Sequence, residues 1–176
     1  MKRKEKLRDL HPYQKRLLRL LCVVLAAFVL YNIIWLTYRE YRYGGLMDAV
    51  GYAQATGTWS AQRDGCHYDV IPPAYLQFNG NLSTDVNDNN EGLIIWPQFP
   101  TGYKYAAVLY TGTTMQNGVS TRNMVVIAMD ERGNWVDEGN QGYGEREKEL
   151  LRERQADIQS WIAQANKVWE LNTDNE

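Results

Sequence analysis

The sequence predicts an α+β protein: an N-terminal transmembrane helix, then a small antiparallel β-sheet or partial barrel packed by a long C-terminal helix. Three patterns predict this fold. A charge-free apolar run stands near the N-terminus, short segments rich in Val, Ile, Tyr and Thr alternate with turn residues in the middle, and a helical apolar pattern ends the chain. The expected organisation is a basic cytoplasmic tail at 1–16, the transmembrane helix at 17–37, a juxtamembrane linker or short helix at 38–56, a β-rich extracytoplasmic domain at 57–143, and a C-terminal amphipathic helix and tail at 144–176.

The first element is a run without charged residues from Leu20 to Leu36. With residues 17–19, where Arg19 can snorkel, it reaches about twenty residues, the length that a helix needs to cross ~30 Å of hydrocarbon. A cleaved signal peptide has a shorter apolar region that ends at small residues, whereas this run ends in Trp35 and Leu36. The pattern therefore predicts an uncleaved membrane anchor.

Charge predicts the orientation of this anchor. The first 19 residues hold eight Lys and Arg against Glu5 and Asp9, a net of +6, so the rest of the chain carries −8 of the total of −2. Because basic residues stay on the cytoplasmic side, we expect a cytoplasmic N-terminus and an extracytoplasmic C-terminal domain in the inner, or cytoplasmic, membrane of a bacterium. An acidic domain without a Lys/Arg stripe also argues against a nucleic-acid partner.

Amphipathic side chains at both ends of the run are expected at the membrane interface: Arg19, Tyr31, Trp35 and Tyr38. Asn32 is the one strongly polar side chain in the span, and in lipid its amide gains from a hydrogen bond to a second helix. It is the candidate for a helix–helix contact, with another membrane protein or a second copy. The alternative is that Asn32 lies close enough to the interface to meet water.

Beyond the membrane, Gly44 and Gly45 are expected to interrupt the helix as a hinge, and Leu46–Ala55 to form a short helix that Gly57 ends. Turn residues then separate short β-prone segments, and the clearest hairpin turns at Asp130–Gly133. The predicted strands are Thr58–Gln62, Tyr68–Ile71, Ala74–Asn79, Gly92–Trp96, Tyr103–Thr113, Asn123–Asp130 and Asn134–Val136.

From Gly144 onward the sequence predicts one amphipathic helix of about 26 residues, because the segment lacks Gly and Pro and its apolar residues fall on one side. That side either packs on the protein's own sheet or binds a partner. Trp161 and Trp169 are the candidates for partner contact.

The residues that commonly carry catalysis are few. Outside the N-terminal tail the chain has one histidine, His67, next to Cys66, and neighbours in a strand point to opposite faces. We therefore predict no enzyme, no catalytic residue and no cofactor. Cys66 is expected to be a buried thiol, with a disulfide to a partner as the alternative.

The segment Asp85–Glu91 offers oxygen ligands at alternate positions, from Asp85, Asn87 and Asn89. It lacks the turn glycine of an EF-hand, since Asn90 stands in that place. We expect a polar hairpin tip and no metal site, with a weak calcium site on these three residues as the alternative.

Two limited resemblances bear on the domain. Gly57, Thr58 and Trp59 resemble the Gly-x-Trp opening of lipocalin-like barrels, which implies a β-rich architecture and carries over no binding residue. The basic leader, apolar helix and small α+β head resemble type IV pilins and pseudopilins. That family has a Gly before the apolar run and a Glu at the fifth mature residue, and the segment LLRLLCVVLAAF has neither.

These features together predict a bitopic, non-enzymatic accessory or assembly subunit whose outer domain contacts other membrane proteins or its own copies. The alternative is a membrane-tethered module that binds a small molecule or glycan in an aromatic pocket formed by Trp59, Trp96 and Trp135. A third class, a tethered hydrolase, requires a cleft into which aspartates converge, from among Asp64, Asp69, Asp130 and Asp137.

Overall fold

The computed structural model describes residues 11–51, 56–86, 90–116 and 119–171. The chain divides into two compact units, Met1–Tyr38 and Arg39–Glu176. The architecture is α+β, with a long apolar N-terminal helix, one antiparallel sheet and two C-terminal helices.

The first unit consists of the greater part of helix α1, which spans Pro12–Val50. Among the described residues, α1 is the one helix long and apolar enough to cross a membrane, with a mean hydropathy of 2.4 over 18 residues and none of that stretch buried. An apolar helix that the chain itself leaves uncovered is typical of a membrane anchor or a signal sequence.

The predicted hinge at Gly44 and Gly45 is wrong, because α1 continues through both residues to Val50. Tyr43, Leu46, Met47 and Val50 are buried on one side of these last turns. Packing of that side outweighs the intrinsic cost of two glycines, about 1 kcal/mol each. The helix ends at Gly51, whose φ of +78° suits glycine, and residues 52–55 of the predicted short helix lie outside the described part.

The second unit is built on a six-stranded sheet in which each strand pairs antiparallel with the next. Its strands are β1 Trp59–Arg63, β2 Cys66–Ile71, β3 Asn81–Asp85, β4 Gly92–Pro97, β5 Tyr103–Gln116 and β6 Val119–Met129. Within the described residues β1 pairs only with β2 and β6 only with β5, so the sheet is open and not a closed barrel.

Five predicted strands lie within a few residues of the observed ones, and two predictions are wrong. Ala74–Asn79 is a turn region, since Gln77 N donates to Ala74 O at 2.9 Å, and the actual strand follows as β3. Asn134–Val136 contributes only one bridge, between Met129 and Trp135. The turn at Asp130–Gly133 is confirmed, with Gly133 at a φ of +80°.

One face of the sheet forms the core. The strand register from β2 to β6 aligns five buried residues in one row: Tyr68, Thr84, Leu93, Ala107 and Ile127. Helices α2 (Glu145–Glu153) and α3 (Gln155–Trp169), together with the last turns of α1, supply the opposing apolar side chains. The unit thus has two layers, helices against one sheet face.

The predicted single C-terminal helix is instead two helices, because Arg154 leaves helical geometry with φ −97° and ψ 8°. Its guanidinium donates from Nη2 to Glu91 Oε2 at 2.9 Å and from Nε to Asp157 Oδ2 at 2.8 Å. Glu91 is buried in the sheet layer, so its carboxylate needs a cation. Desolvation alone would lower the pKa of Arg154, but the hydrogen bond and charge of Glu91 raise it.

Candidate functional site

The thiol and the imidazole of the one Cys-His pair lie on opposite sides of β2, as predicted. Cys66 is buried on the inner face and contacts Gln164 Oε1 through Sγ at 3.1 Å, whereas His67 is half-exposed on the outer face. A buried thiol bonded within the core is not accessible for a disulfide with a partner in this structure. These two residues form no joint reactive site.

Sequence reasoning missed a polar cluster on the outer face of β1 and β2. Asp69 Oδ1 accepts a hydrogen bond from Ser60 Oγ at 2.5 Å and lies 3.1 Å from His67 Nε2. The residue types match a hydrolytic triad, but the carboxylate stands between serine and imidazole, so His67 is not placed to take the proton of Ser60. The tight turn at Asp64-Gly65 was the signal for this cluster, because it pairs Ser60 with Asp69.

The aspartates required for a hydrolase do not converge. Asp64 and Asp69 belong to the β1–β2 hairpin, whereas Asp130 and Asp137 follow β6, four strands away, which is about 19 Å at the usual strand spacing. Asp130 has a structural role, since it accepts hydrogen bonds from Arg132 N and from Asn134 N and Nδ2. Desolvation raises the pKa of Asp130, but these bonds outweigh it and lower the pKa below its ordinary value.

The candidate calcium ligands are only partly described. Asp85 is exposed at the end of β3, and Asn87 and Asn89 lie outside the described residues. Among the residues that the structure does describe, no three His, Cys, Asp or Glu side chains form a cluster that could hold a metal. The weak calcium site stays a prediction.

The predicted interface residues Arg19, Tyr31, Trp35 and Tyr38 all lie in α1. The three aromatic residues follow at spacings of four and three, so they share one side of the helix. Asn32 donates from Nδ2 to Phe28 O at 2.7 Å, a bond within its own helix. Their roles at the membrane interface and in a helix–helix contact stay predictions.

Trp161 and Trp169, the candidates for partner contact, are each only 5% exposed. The ring of Trp169 meets that of Tyr68 edge to face at 5.5 Å, and the guanidinium of Arg154 lies 5.7 Å from the ring of Trp161. The structure places both in the core between α3 and the sheet. A partner contact through them stays a prediction, and in this structure neither ring is open to one.

The outer face of the sheet changes character across its width. One row of paired residues runs Ser60, Asp69, Ser83 on β1 to β3 and then Ile94, Ala106, Ala128 on β4 to β6. The apolar half holds a groove of about 450 Å³ lined by Trp96, Lys104, Val126 and the loop at Glu138–Gln141. Val126 is 40% exposed there. Trp59 and Trp135 do not line this groove, and the strand register puts Trp59 on the face opposite Trp96, so the three tryptophans do not share one pocket.

A second cleft, of about 600 Å³, lies between the last turns of α1, the end of β1 and the end of α3. Arg42 donates from Nη2 to Gly102 O at 2.8 Å, and its guanidinium carbon lies 5.1 Å from the ring centroid of Tyr103. Arg63, which also lines the cleft, donates to Ala49 O. We call this the arginine cleft.

Two loops beside Arg42 and Tyr43 carry exposed apolar side chains. Tyr43 Oη accepts from Gly80 N at 2.8 Å, which fixes the β2–β3 loop next to α1, and the bond from Arg42 to Gly102 does the same for the β4–β5 loop. Leu76 and Phe99 at their tips are 64% and 63% exposed. Leu76 has a φ of +69°, a strained conformation for a bulky residue that turns its side chain outward.

Comparison with known proteins gives no match: no family model, no curated protein and no solved structure is significantly similar to the chain.

Proposed function

We propose that this protein is a bitopic, non-enzymatic accessory or assembly subunit of a membrane complex. In this proposal α1 anchors it uncleaved, with the N-terminus in the cytoplasm, and the extracytoplasmic α+β domain contacts other membrane proteins. The observation that carries the proposal is the apolar half of the outer sheet face around Val126, which the described helices leave uncovered. Apolar patches of this kind commonly mark sites of protein interaction.

The missing catalytic geometry also supports a binding role. Ser60, His67 and Asp69 lie in the wrong order for nucleophilic catalysis, and the four aspartates lie in two pairs near opposite edges of the sheet. The outer sheet face, by contrast, offers an apolar groove with a polar rim that includes Lys104, an arrangement that protein interfaces commonly show.

Site-specific photo-crosslinking in the native membrane tests the contact. A photoreactive residue at Val126 should capture a protein of defined mass, whereas one at Gln159, exposed on α3, should capture none. Val126→Asp should remove the co-purifying partner while the thermal unfolding of the purified protein stays unchanged. A Val126 probe that captures nothing, on a protein that runs as a stable monomer, would overturn the proposal.

Protease treatment of spheroplasts tests the anchor and its orientation. The external protease should digest the domain and leave a protected N-terminal fragment of the mass expected for the tail and span. An intact mass that begins after residue 36 would instead identify a signal sequence.

A second function has one observation in its favour. The same groove joins an indole ring, Trp96, to a cation, Lys104, which also suits a small molecule or glycan with an acidic group. Such binding would change the fluorescence of Trp96 in the wild type and not in Trp96→Phe. Lys104 already contacts Glu138 Oε1 at 2.5 Å, so a ligand would have to compete with that ion pair.

A further inference from the structure

The arginine cleft contains hydrogen-bond donors for which the described residues supply no acceptor. Arg42 and Trp169 line it, and both are more than nine-tenths buried. Among the residues that the structure describes, neither Arg42 Nε nor Trp169 Nε1 has a hydrogen-bond partner. A buried donor without an acceptor is destabilising, so two of them in one cleft call for an explanation.

The charge in the cleft is positive. Its charged lining residues are Arg42, Arg63 and Glu170, which leave one net positive charge. The guanidinium of Arg42 lies against the ring of Tyr103, and its Nη2 donates a hydrogen bond to Gly102 O. Its Nε has no acceptor among the described residues. The cleft thus combines hydrogen-bond donors with positive charge, and this combination suits an anion that has several acceptor oxygens.

We propose that the arginine cleft binds a phosphate group. The donors come from three elements, Arg42 on α1, Arg63 on β1 and Trp169 on α3, and therefore approach from different directions. A tetrahedral phosphate presents oxygens in several directions, whereas a carboxylate has two in one plane. Because both orphan N–H groups are shielded from solvent, binding requires a small rotation of the Arg42 and Trp169 side chains toward the anion.

The phosphate can come from a lipid headgroup or from a soluble phosphorylated molecule, and a cleft of about 600 Å³ admits either with its attached group. The lipid source rests on the proposed membrane anchor. Arg42 follows Leu36, the end of the charge-free apolar run, by six residues. The exposed Leu76 and Phe99 stand on the loops that Arg42 and Tyr43 hold, and apolar side chains in such positions favour a lipid surface.

The first arm of the test uses inorganic phosphate and the detergent-purified full chain. Thermal unfolding and tryptophan fluorescence are followed as phosphate replaces chloride at constant ionic strength. Arg63→Gln should weaken binding about tenfold, which is the loss of one charge-assisted hydrogen bond. Glu170→Gln should tighten binding a few-fold, since it removes the opposing charge. Arg152→Gln, an exposed change on α2, is the matched control and should change nothing.

The second arm uses nanodiscs of phosphatidylglycerol and of phosphatidylcholine, followed by native mass spectrometry of the full chain. Retention of phosphatidylglycerol by the wild type and its loss in Arg63→Gln identify a headgroup as the source. Binding of inorganic phosphate without retained lipid identifies a soluble source. Arg42→Gln should abolish both, and Arg63 and Glu170, being exposed, keep the test valid if that variant fails to fold.

Opposite effects of Arg63→Gln and Glu170→Gln are not expected from general destabilisation, so they would support the proposal. Equal behaviour of Arg63→Gln and Arg152→Gln, or no response to phosphate together with no retained lipid, would overturn it. The crosslink at Val126 and the protease protection of the tail do not involve the cleft. These experiments therefore distinguish a failure of the phosphate site from a failure of the proposed function.

Discussion

The inner face of the sheet is covered by the last turns of α1 and by α2 and α3, whereas the outer face carries no helix among the described residues. The contrast is sharpest between neighbours in β6: Ile127 is fully buried and Val126 is 40% exposed. Both are β-branched apolar residues that suit a strand equally well. The pleat alone sends one to the core and the other outward, so similar residues take a buried and an exposed position respectively.

The largest expected effect comes from this pair. Ile127→Ala should lower the free energy of unfolding by about 3 kcal/mol, because it opens a cavity in a filled core, and Val126→Ala by less than about 1 kcal/mol. Chemical denaturation of the detergent-purified protein, read at the domain transition, measures both. Equal losses would mean that the outer face is also covered, and the contrast between the faces would fail.

The next effect concerns the ion pair that joins the helix layer to the sheet. Arg154→Met should cost about 2 kcal/mol, since it removes the guanidinium that faces the buried carboxylate of Glu91, although Arg154 itself is partly exposed. Glu91→Gln combined with Arg154→Met should recover part of that loss. Arg152→Met, which removes an exposed pair with Glu149 on α2, serves as the control and should change stability by less than about 0.5 kcal/mol.

Two tyrosines of the inner face predict a loss of stability in alkali. Burial raises the pKa of Tyr68 to about 12, with the neighbouring Cys66 adding to it, and burial raises that of Tyr105 to about 12. Below pH 10 both tyrosines are largely protonated in the native and in the unfolded state. As pH rises from about 10 to 12 the unfolded chain releases these protons while the native state holds them, so stability falls by on the order of 1 kcal/mol per group.

Urea midpoints measured from pH 8 to 12 check this slope, with tyrosinate absorbance as a second readout. Tyr68→Phe should reduce the slope by its share. A midpoint that does not change with pH would show that the inner face is accessible to hydroxide.

The smallest expected effect lies on the exposed side of α1. Gly45→Ala should raise the free energy of unfolding by about 0.7 kcal/mol, because no atom lies within 4 Å of an added methyl and alanine favours the helix. Leu46→Ala, on the buried side of the same turn, should instead be destabilising. Loss of stability in Gly45→Ala would revive the hinge that the sequence predicts there.

Much of the fold could be predicted from local patterns. The long apolar helix, five strands and the turn at Gly133 follow from hydrophobic runs, β-prone segments and turn residues. The strand β3 (Asn81–Asp85) was not predicted because residues 74–78 have a stronger strand propensity. In the structure those residues instead form the turn that follows Pro72-Pro73. The hinge at Gly44-Gly45 was wrongly predicted for a related reason. Helix propensity does not include the free energy gained when Tyr43 and Leu46 pack into the core.

The candidate sites depend on contacts between residues that are far apart in the sequence, which local sequence patterns do not predict. Nothing near Arg42 in the sequence predicts that Arg63 and Trp169 share a cleft with it, and Glu91 and Arg154 meet across 63 positions. The break between α2 and α3 has the same origin, because a helix-favouring residue gives up its helical geometry where it bonds a buried carboxylate.

The sequence by itself determined the apolar helix, the basic N-terminal charge and the α+β order, because hydropathy, charge and turn chemistry act over a few neighbouring residues. Only the tertiary structure decided which sheet face became the core, which two donors of the arginine cleft find no acceptor among the described residues, and that the apolar helix α1 continues to Val50. Those outcomes follow from packing and desolvation between distant segments, whose free energies exceed the local preferences that the sequence displays.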